Sequence, residues 1–250
     1  MTNCDSETGV CKLPESSEGA ASQALVKAYV PTVRYIGDPM CSWCWGISPV
    51  LKEVESYCRS RNVEFSVHVG GLRPGGGDEW GLPFKNFLRH EWENIRRVTG
   101  QPFGFSLLDK AEFNYDTEPA CRAVVVMSGI LKRRERDSQA LLTFFSGIQK
   151  RFYVDGADPK EPLFYRDLCV EAGIPYEEFF EAFHSASAKA ATVQEFQRCR
   201  SWGIRGFPSL VLDLDGRMTP LVSGYTTSTA LIQKLESLLG DSPKSHEGEQ

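Results

Sequence analysis

The feature that most limits what this chain can become is Cys41-Ser42-Trp43-Cys44, set between a strand-like run and a helix-like one. The run AYVPTVRYIGD over 28–38 mixes β-branched and aromatic residues, which favours a strand. Pro31 belongs near its start, because a central strand tolerates proline poorly. After the cysteines, Val50, Leu51, Val54, Tyr57 and Cys58 recur at helical spacing and give one apolar face. In VEFSVHVGGL (63–72), Val63, Phe65, Val67 and Val69 alternate as in a half-buried strand. A strand, a helix and a strand in this order predict a βαβ unit, parallel and right-handed by default.

Cysteines three residues apart on a helix share a face, so their sulfurs can meet. The first, at the helix N-terminus, feels unpaired N–H groups and the positive end of the dipole, and its pKa is expected to fall. A thiolate there is the attacking group of thiol–disulfide exchange, and Cys44, one turn further in, is placed to resolve the mixed disulfide. The competing reading is half a zinc site. Zinc needs four ligands, and no second CxxC or HxxxH exists in the chain. Cys4 and Cys11, in a polar tail, make a poor second half. HExxH and facial-triad spacings are also missing, so no metal is expected.

Residues 73–82 break the pattern, and helical segments are expected at 84–98, 119–136, 138–153, 161–172, 176–185 and 189–201. Thr117 can cap the second of these, with Pro119 in its first turn. Strands resume in FPSLVLDLDGRMTPLVSG (207–224), where Asp215-Gly216 is a hairpin signal. A last helix over 227–239 carries Leu231, Leu235, Leu238 and Leu239 on one side. The economical organisation is a small α/β domain from 28–75 and 200–240, interrupted by a helical insertion at 76–199. Residues 1–27 and 241–250 read as polar tails.

Composition narrows the partners. The 250 residues hold 28 basic against 33 acidic side chains, a formal net charge of −5, which argues against nucleic acid. No apolar run approaches the roughly 20 residues of a membrane span. The opening lacks the basic and apolar regions of a secretory signal, so a cytoplasmic address is expected. Eight cysteines in a chain this long are too few for a disulfide scaffold. Cys58, Cys121, Cys169 and Cys199 fall on apolar faces or among helical residues, and packing is their expected role.

Three further signals join the cysteines: Pro49, eight positions after Cys41 and expected to kink the helix, and Gly206-Phe207-Pro208 before the late strand. Together with the CSWC sequence they resemble the thioredoxin superfamily. The long helical insertion resembles the DsbA-like branch, and GDPMCSWCWGISP, FNYDTEPACRA and IRGFPSLVL are closest to its predicted disulfide isomerases, the group that includes the FrnE-like proteins. The resemblance covers about residues 30–240. It implies a thioredoxin fold, a mixed four-stranded sheet with flanking helices, carrying a large all-helical insertion. It also implies that Cys41 is the nucleophile, Cys44 the resolving cysteine, Pro208 a cis proline and Phe207 a backbone contact for substrate. Exported oxidants of the branch usually carry a histidine in the dipeptide. Ser42-Trp43 lacks it, so a milder potential is expected.

Other residues have narrower readings. Asp38 can accept the Cys44 proton during resolution, or serve as a turn residue. Trp43 is expected exposed beside the site, Trp45 as packing, and Met40 as packing or groove lining. His68 should lie on the opposite strand face, hydrogen-bonded under the insertion. The glycines at 70–71 and 75–77 lack any phosphate-binding spacing and read as a crossing between the two parts of the chain. The segment 114–119 can bring a helix N-terminus over the dithiol.

The expected function is a thiol–disulfide oxidoreductase or isomerase acting on protein disulfides. No cofactor is expected to be bound, and glutathione or a thioredoxin-type partner would supply electrons. The alternatives are a redox-regulated adaptor or chaperone, and a glutathione-dependent enzyme like the kappa-class transferases, whose site generally carries a single serine or cysteine.

Overall fold

The computed structural model describes residues 30–240, together with Asn3–Cys4 (β1) and Cys11–Lys12 (β2), which pair antiparallel so that Cys4 stands opposite Cys11. The expectations for the rest of residues 1–27 and for 241–250 fall outside the described residues. The main sheet has four strands: Thr32–Gly37 (β3), Glu64–Val69 (β4), Ser209–Leu214 (β5) and Arg217–Ser223 (β6). Their order is β4-β3-β5-β6, with β3 parallel to β4 and the other pairs antiparallel. This is the mixed sheet expected of a thioredoxin fold.

The turn between β5 and β6 puts Asp215 at φ 52° and Gly216 at φ 81°. Two successive left-handed residues make the tight turn whose twist matches the flanking strands, which is why Asp-Gly stands there. Pro220 lies on the edge strand β6 beside a register shift, where a missing N–H breaks no ladder bond.

Residues of β3 and β4 alternate between two differently covered faces. Val33, Tyr35, Phe65, Val67 and Val69 are buried in the main core. Helices Ser48–Ser60 (α2) and Ser138–Tyr153 (α5) pack on that face, with the ring of Tyr35 edge-on to Phe145 at 5.7 Å. On the other face, Ile36 and Val211 meet Cys199 of helix Ala186–Ser201 (α8). Arg34 reaches across to Asp213 and lies over Trp202. Helix Ser228–Leu239 (α9) closes the chain against α2.

All the elements between β4 and β5 are helical. They are Leu82–Thr99 (α3), Glu118–Arg133 (α4), α5, Arg166–Glu171 (α6), Tyr176–His184 (α7) and α8, with 3-10 turns at Ser106–Asp109 and Pro162–Tyr165. The first helix of the chain, Ser42–Gly46 (α1), is separated from α2 at Ile47. The expected kink is therefore a break, and Pro49 sits in the first turn of α2, where its missing N–H costs nothing. Thr117 does precede α4, but its hydroxyl accepts from Arg73 N at 3.1 Å rather than from the helix, while Asp116 takes Glu118 N at 2.9 Å.

The helical part packs aromatic rings around Trp92, which is fully buried in the same core as the sheet residues. Its ring meets Phe103 at 5.7 Å, Phe152 at 6.4 Å and Tyr153 at 5.2 Å. Trp92→Ala is expected to cost about 3–5 kcal/mol, read as a shifted urea midpoint. A cost below about 1 kcal/mol would mean that the cluster does not hold this region together.

Candidate active site

The dithiol sits where β3 ends. Cys41 stands at the N-cap of α1 in an extended conformation, and its N–H closes a turn onto Asp38 O at 3.0 Å. Cys44 is one helical turn further in. Both are free thiols in unequal surroundings: Cys41 is 7% exposed and Cys44 is sealed at 0%. Burial pushes the Cys44 thiol well above its ordinary pKa, and the adjacent Cys41 sulfur adds to the shift. The buried phenol of Tyr35, beneath Cys44, pulls the other way. Tyr35 Oη itself has no partner at hydrogen-bond geometry among the described residues. An O–H held there stabilises negative charge on Cys44 better than it stabilises the neutral thiol.

The opposite wall comes from the far end of the chain. The Phe207–Pro208 peptide bond is cis, and Phe207 O lies 3.7 Å from Cys41 Sγ, within reach of a weak S–H donor. The Phe207 ring folds onto Gly70, where an added Cβ would come within 2.0 Å of it. Glycine at 70 is thus what allows the loop carrying Phe207 to approach β4. Trp43, expected to be exposed, is half-buried, because its ring packs on Tyr225 at 6.1 Å. Trp45 and Met40 are buried, as their neighbours predict.

Asp38 is fully buried and does not direct its carboxylate to the Cys44 sulfur; the contact with Cys44 is through the Asp38 backbone. The carboxylate accepts from Met40 N at 2.8 Å, from Leu72 N at 2.6 Å and from Cys121 Sγ at 3.3 Å. Burial raises its pKa, and these donors, with Thr117, hold the rise back. Beside it, Tyr115 Oη donates to Met40 O at 2.9 Å, one residue before Cys41. The N-terminal end of α4 therefore abuts the lead-in to the dithiol through Tyr115 and Cys121. Sequence reading missed Tyr35, Leu72 and Cys121 as parts of this site, while Tyr115 belongs to the segment 114–119 expected over the dithiol. A tyrosine on a central strand was the one visible signal.

The remaining candidates fall elsewhere. Cys58, Cys169 and Cys199 are buried, and burial lifts each to about 12, so they are inert packing thiols. His68 is on the opposite strand face, bonded to Glu195 of α8. No group of three or more possible metal ligands exists among the described residues. The glycine-rich loop after β4 is pinned, with Gly75 N on Asp116 at 2.7 Å and Gly77 N on Asn114 at 3.3 Å.

A four-stranded mixed sheet with a CxxC at the end of its first strand, a helical insertion and a Phe-Pro loop across from the cysteines defines a thioredoxin-fold protein of the DsbA type. The family described as DSBA-like thioredoxin domain matches residues 32–235, and the chain belongs to it. Among solved structures it is similar to a candidate protein disulfide isomerase from Nitrosomonas europaea, at 37% identity over 84% of this chain and 98% of that one, with a TM-score of 0.72. It is also similar to the cytosolic disulfide reductase DsbM from Pseudomonas aeruginosa, at 28% identity over 83% and 98%, with a TM-score of 0.67. The structure of DsbM with glutathione matches at 26% identity over the same shares, with a TM-score of 0.63. A ClpXP adapter protein, SpxH, from Halalkalibacterium halodurans is 23% identical over 98% of this chain and 78% of its own length.

Tyr35→Phe removes the phenolic O–H and keeps the ring against Phe145. It is expected to raise the Cys44 pKa further and to slow release of a Cys41 mixed disulfide, with the first attack unchanged. Asp38→Asn is expected to cost about 1–3 kcal/mol of stability, because an amide N–H2 would face backbone donors. Stopped-flow kinetics and urea melts of the two variants separate these effects. Equal slowing of both chemical steps by Tyr35→Phe would remove the assignment.

Proposed function

We propose that this chain is a thiol–disulfide oxidoreductase that reduces or isomerises protein disulfides through Cys41 and Cys44, with glutathione as its electron source. The observation that carries this reading is the division between the two thiols, one at the rim beside Phe207 O and one sealed beneath it. In the first step Cys41 thiolate attacks one sulfur of the substrate disulfide. A Cys41 mixed disulfide forms and the other substrate sulfur leaves as thiolate. Cys44 then loses its proton and attacks Cys41 Sγ, and the second substrate thiolate departs. The substrate gains two electrons and the Cys41–Cys44 disulfide holds the oxidised equivalent. Two glutathione molecules return the electrons and leave as glutathione disulfide.

The raised pKa of Cys44 fits this order. While Cys44 stays protonated it cannot compete for the substrate, so the sulfur at the rim reacts first. Phe207 O, beside Cys41, offers a carbonyl to a polypeptide bound at the dithiol, and the Trp43–Tyr225 pair offers it an apolar surface. The lack of a cation in Ser42-Trp43 favours a reducing role in a reducing compartment, and the similarity to a cytosolic disulfide reductase supports that direction. The solved complex of that reductase with glutathione supports glutathione as the source of electrons. A second reading, a protein adaptor, is supported only by the 23% identity to SpxH over 98% of this chain and 78% of that protein.

Insulin reduction with glutathione separates the two. Cys41→Ser should abolish turnover, and Cys44→Ser should accumulate mixed disulfides on Cys41 that mass spectrometry identifies. An empty trap with full partner binding would favour the adaptor. The Cys41–Cys44 potential, by equilibration with glutathione, is expected well below the roughly −120 mV of a strong oxidant. A value near that figure would overturn the reducing direction. Release of the trapped wild-type mixed disulfide should quicken about tenfold per pH unit, as the Cys44 thiolate fraction rises while pH stays below its raised pKa.

A further inference from the structure

A second cluster of chemically matched side chains lies on β4, on the face turned away from the main core. Ser66 and His68 are two residues apart on one strand and so point the same way. Ser66 Oγ is 3.0 Å from His68 Nε2, and His68 Nδ1 is 2.6 Å from Glu195 Oε1 of α8. A carboxylate can only accept, so Nδ1 carries the proton and Nε2 of the neutral ring is left to accept from the serine hydroxyl. Nucleophile, base and orienting acid thus stand in the order of a hydrolytic triad, recognised by geometry rather than by sequence position.

The surroundings hold this arrangement. Glu195 Oε2 is fixed by Arg198 Nη1 at 2.9 Å, and the His68 ring lies edge-on to Trp202 at 4.8 Å. Side-chain exposure is 12% at His68 and 13% at Glu195, so both are shielded without being sealed. The three residues line a cavity of about 630 Å³ between the edge of β4 and helices α4, α5 and α8. Neither cysteine of the dithiol, nor Phe207 or Pro208, is part of its wall.

The sheet edge supplies a donor for developing charge. Glu64 N and Gly70 N both bond to the β3 side, to Pro31 O and Gly37 O. In a parallel ladder N–H groups alternate sides, so those of Phe65, Val67 and Val69 point to the open edge of β4. Val67 N–H, from the residue after Ser66, therefore faces the cavity where an oxyanion on a Ser66 adduct would form. Lys132 and Arg136 in the wall are matched by Glu135 and Asp137, and Val124 and Leu131 add apolar surface. That lining suits a neutral substrate with a short acyl chain.

We propose that Ser66, His68 and Glu195 form a second active site that hydrolyses small neutral carboxylic esters. Ser66 Oγ attacks the ester carbonyl and its proton passes to His68 Nε2. The oxyanion is met by Val67 N–H. The C–O bond to the alcohol breaks, and the alcohol leaves with the proton from His68. Water then attacks the Ser66 acyl ester, gives a proton to His68, and the carboxylic acid departs as Ser66 Oγ recovers that proton. No electrons are exchanged, so the step is independent of the state of the dithiol.

The test uses the full chain carrying Cys41→Ser and Cys44→Ser, which removes thiol attack on the probe. p-Nitrophenyl acetate is the substrate and a fluorophosphonate the covalent label. Label located on Ser66 by mass spectrometry, with a loss of about a hundredfold in kcat/KM for Ser66→Ala and again for His68→Gln, is the expected result. Glu195→Gln should lower kcat while leaving Ser66 labelling detectable. Far-ultraviolet circular dichroism and urea midpoints show that each variant is folded. Hydrolysis unchanged in folded Ser66→Ala, or a fluorophosphonate that leaves Ser66 unlabelled, would overturn the proposal.

Discussion

One buried carboxylate, Asp38, joins the three segments on which the dithiol depends. It takes Met40 N at the turn that leads into Cys41, Leu72 N on the loop after β4, and Cys121 Sγ from the second turn of α4. A carboxylate without a cationic partner is costly to bury, and these donors are what hold its charge in place. Loosening any of them leaves a polar group unsatisfied inside the protein, at a cost larger than one ordinary hydrogen bond contributes. The helical part is therefore fastened to the sheet at the point where the chemistry occurs. Tyr115, bonded to Met40 O, reinforces the same junction.

That junction accounts for the unequal cysteines. With the end of α4 closed over the lead-in turn and Tyr35 beneath α1, the second sulfur has no route to water, and the first has only the gap beside Phe207 O. Burial then does what a change of residue type does not: it separates two chemically identical thiols into one that is available and one that is held neutral until it is needed.

Local pattern made the frame legible. Alternation at Val63, Phe65, Val67 and Val69 marked β4, Asp215-Gly216 marked the hairpin, and the cysteine spacing marked the start of α1. What stayed hidden depends on partners distant in sequence. Asp38 meets Leu72 and Cys121 from 34 and 83 residues away, and nothing in the Asp-Pro dipeptide announces either. Thr117 reads as a helix cap from its neighbours, yet the folded chain hands its hydroxyl to Arg73 N. Ser66 and His68 declare a shared face by their spacing, while Glu195, 127 residues after His68, becomes their partner only when α8 lies on the sheet. Periodicity shows which side a residue is on, and tertiary packing decides what it meets there.

The inequality of the two thiols is tested most directly by limited alkylation of the reduced, folded protein with iodoacetamide near neutral pH, with each cysteine followed by mass spectrometry. The account predicts that Cys41 is carboxamidomethylated while Cys44 stays unmodified until denaturant is added. Alkylation of both at similar rates, or of Cys44 first, would contradict it.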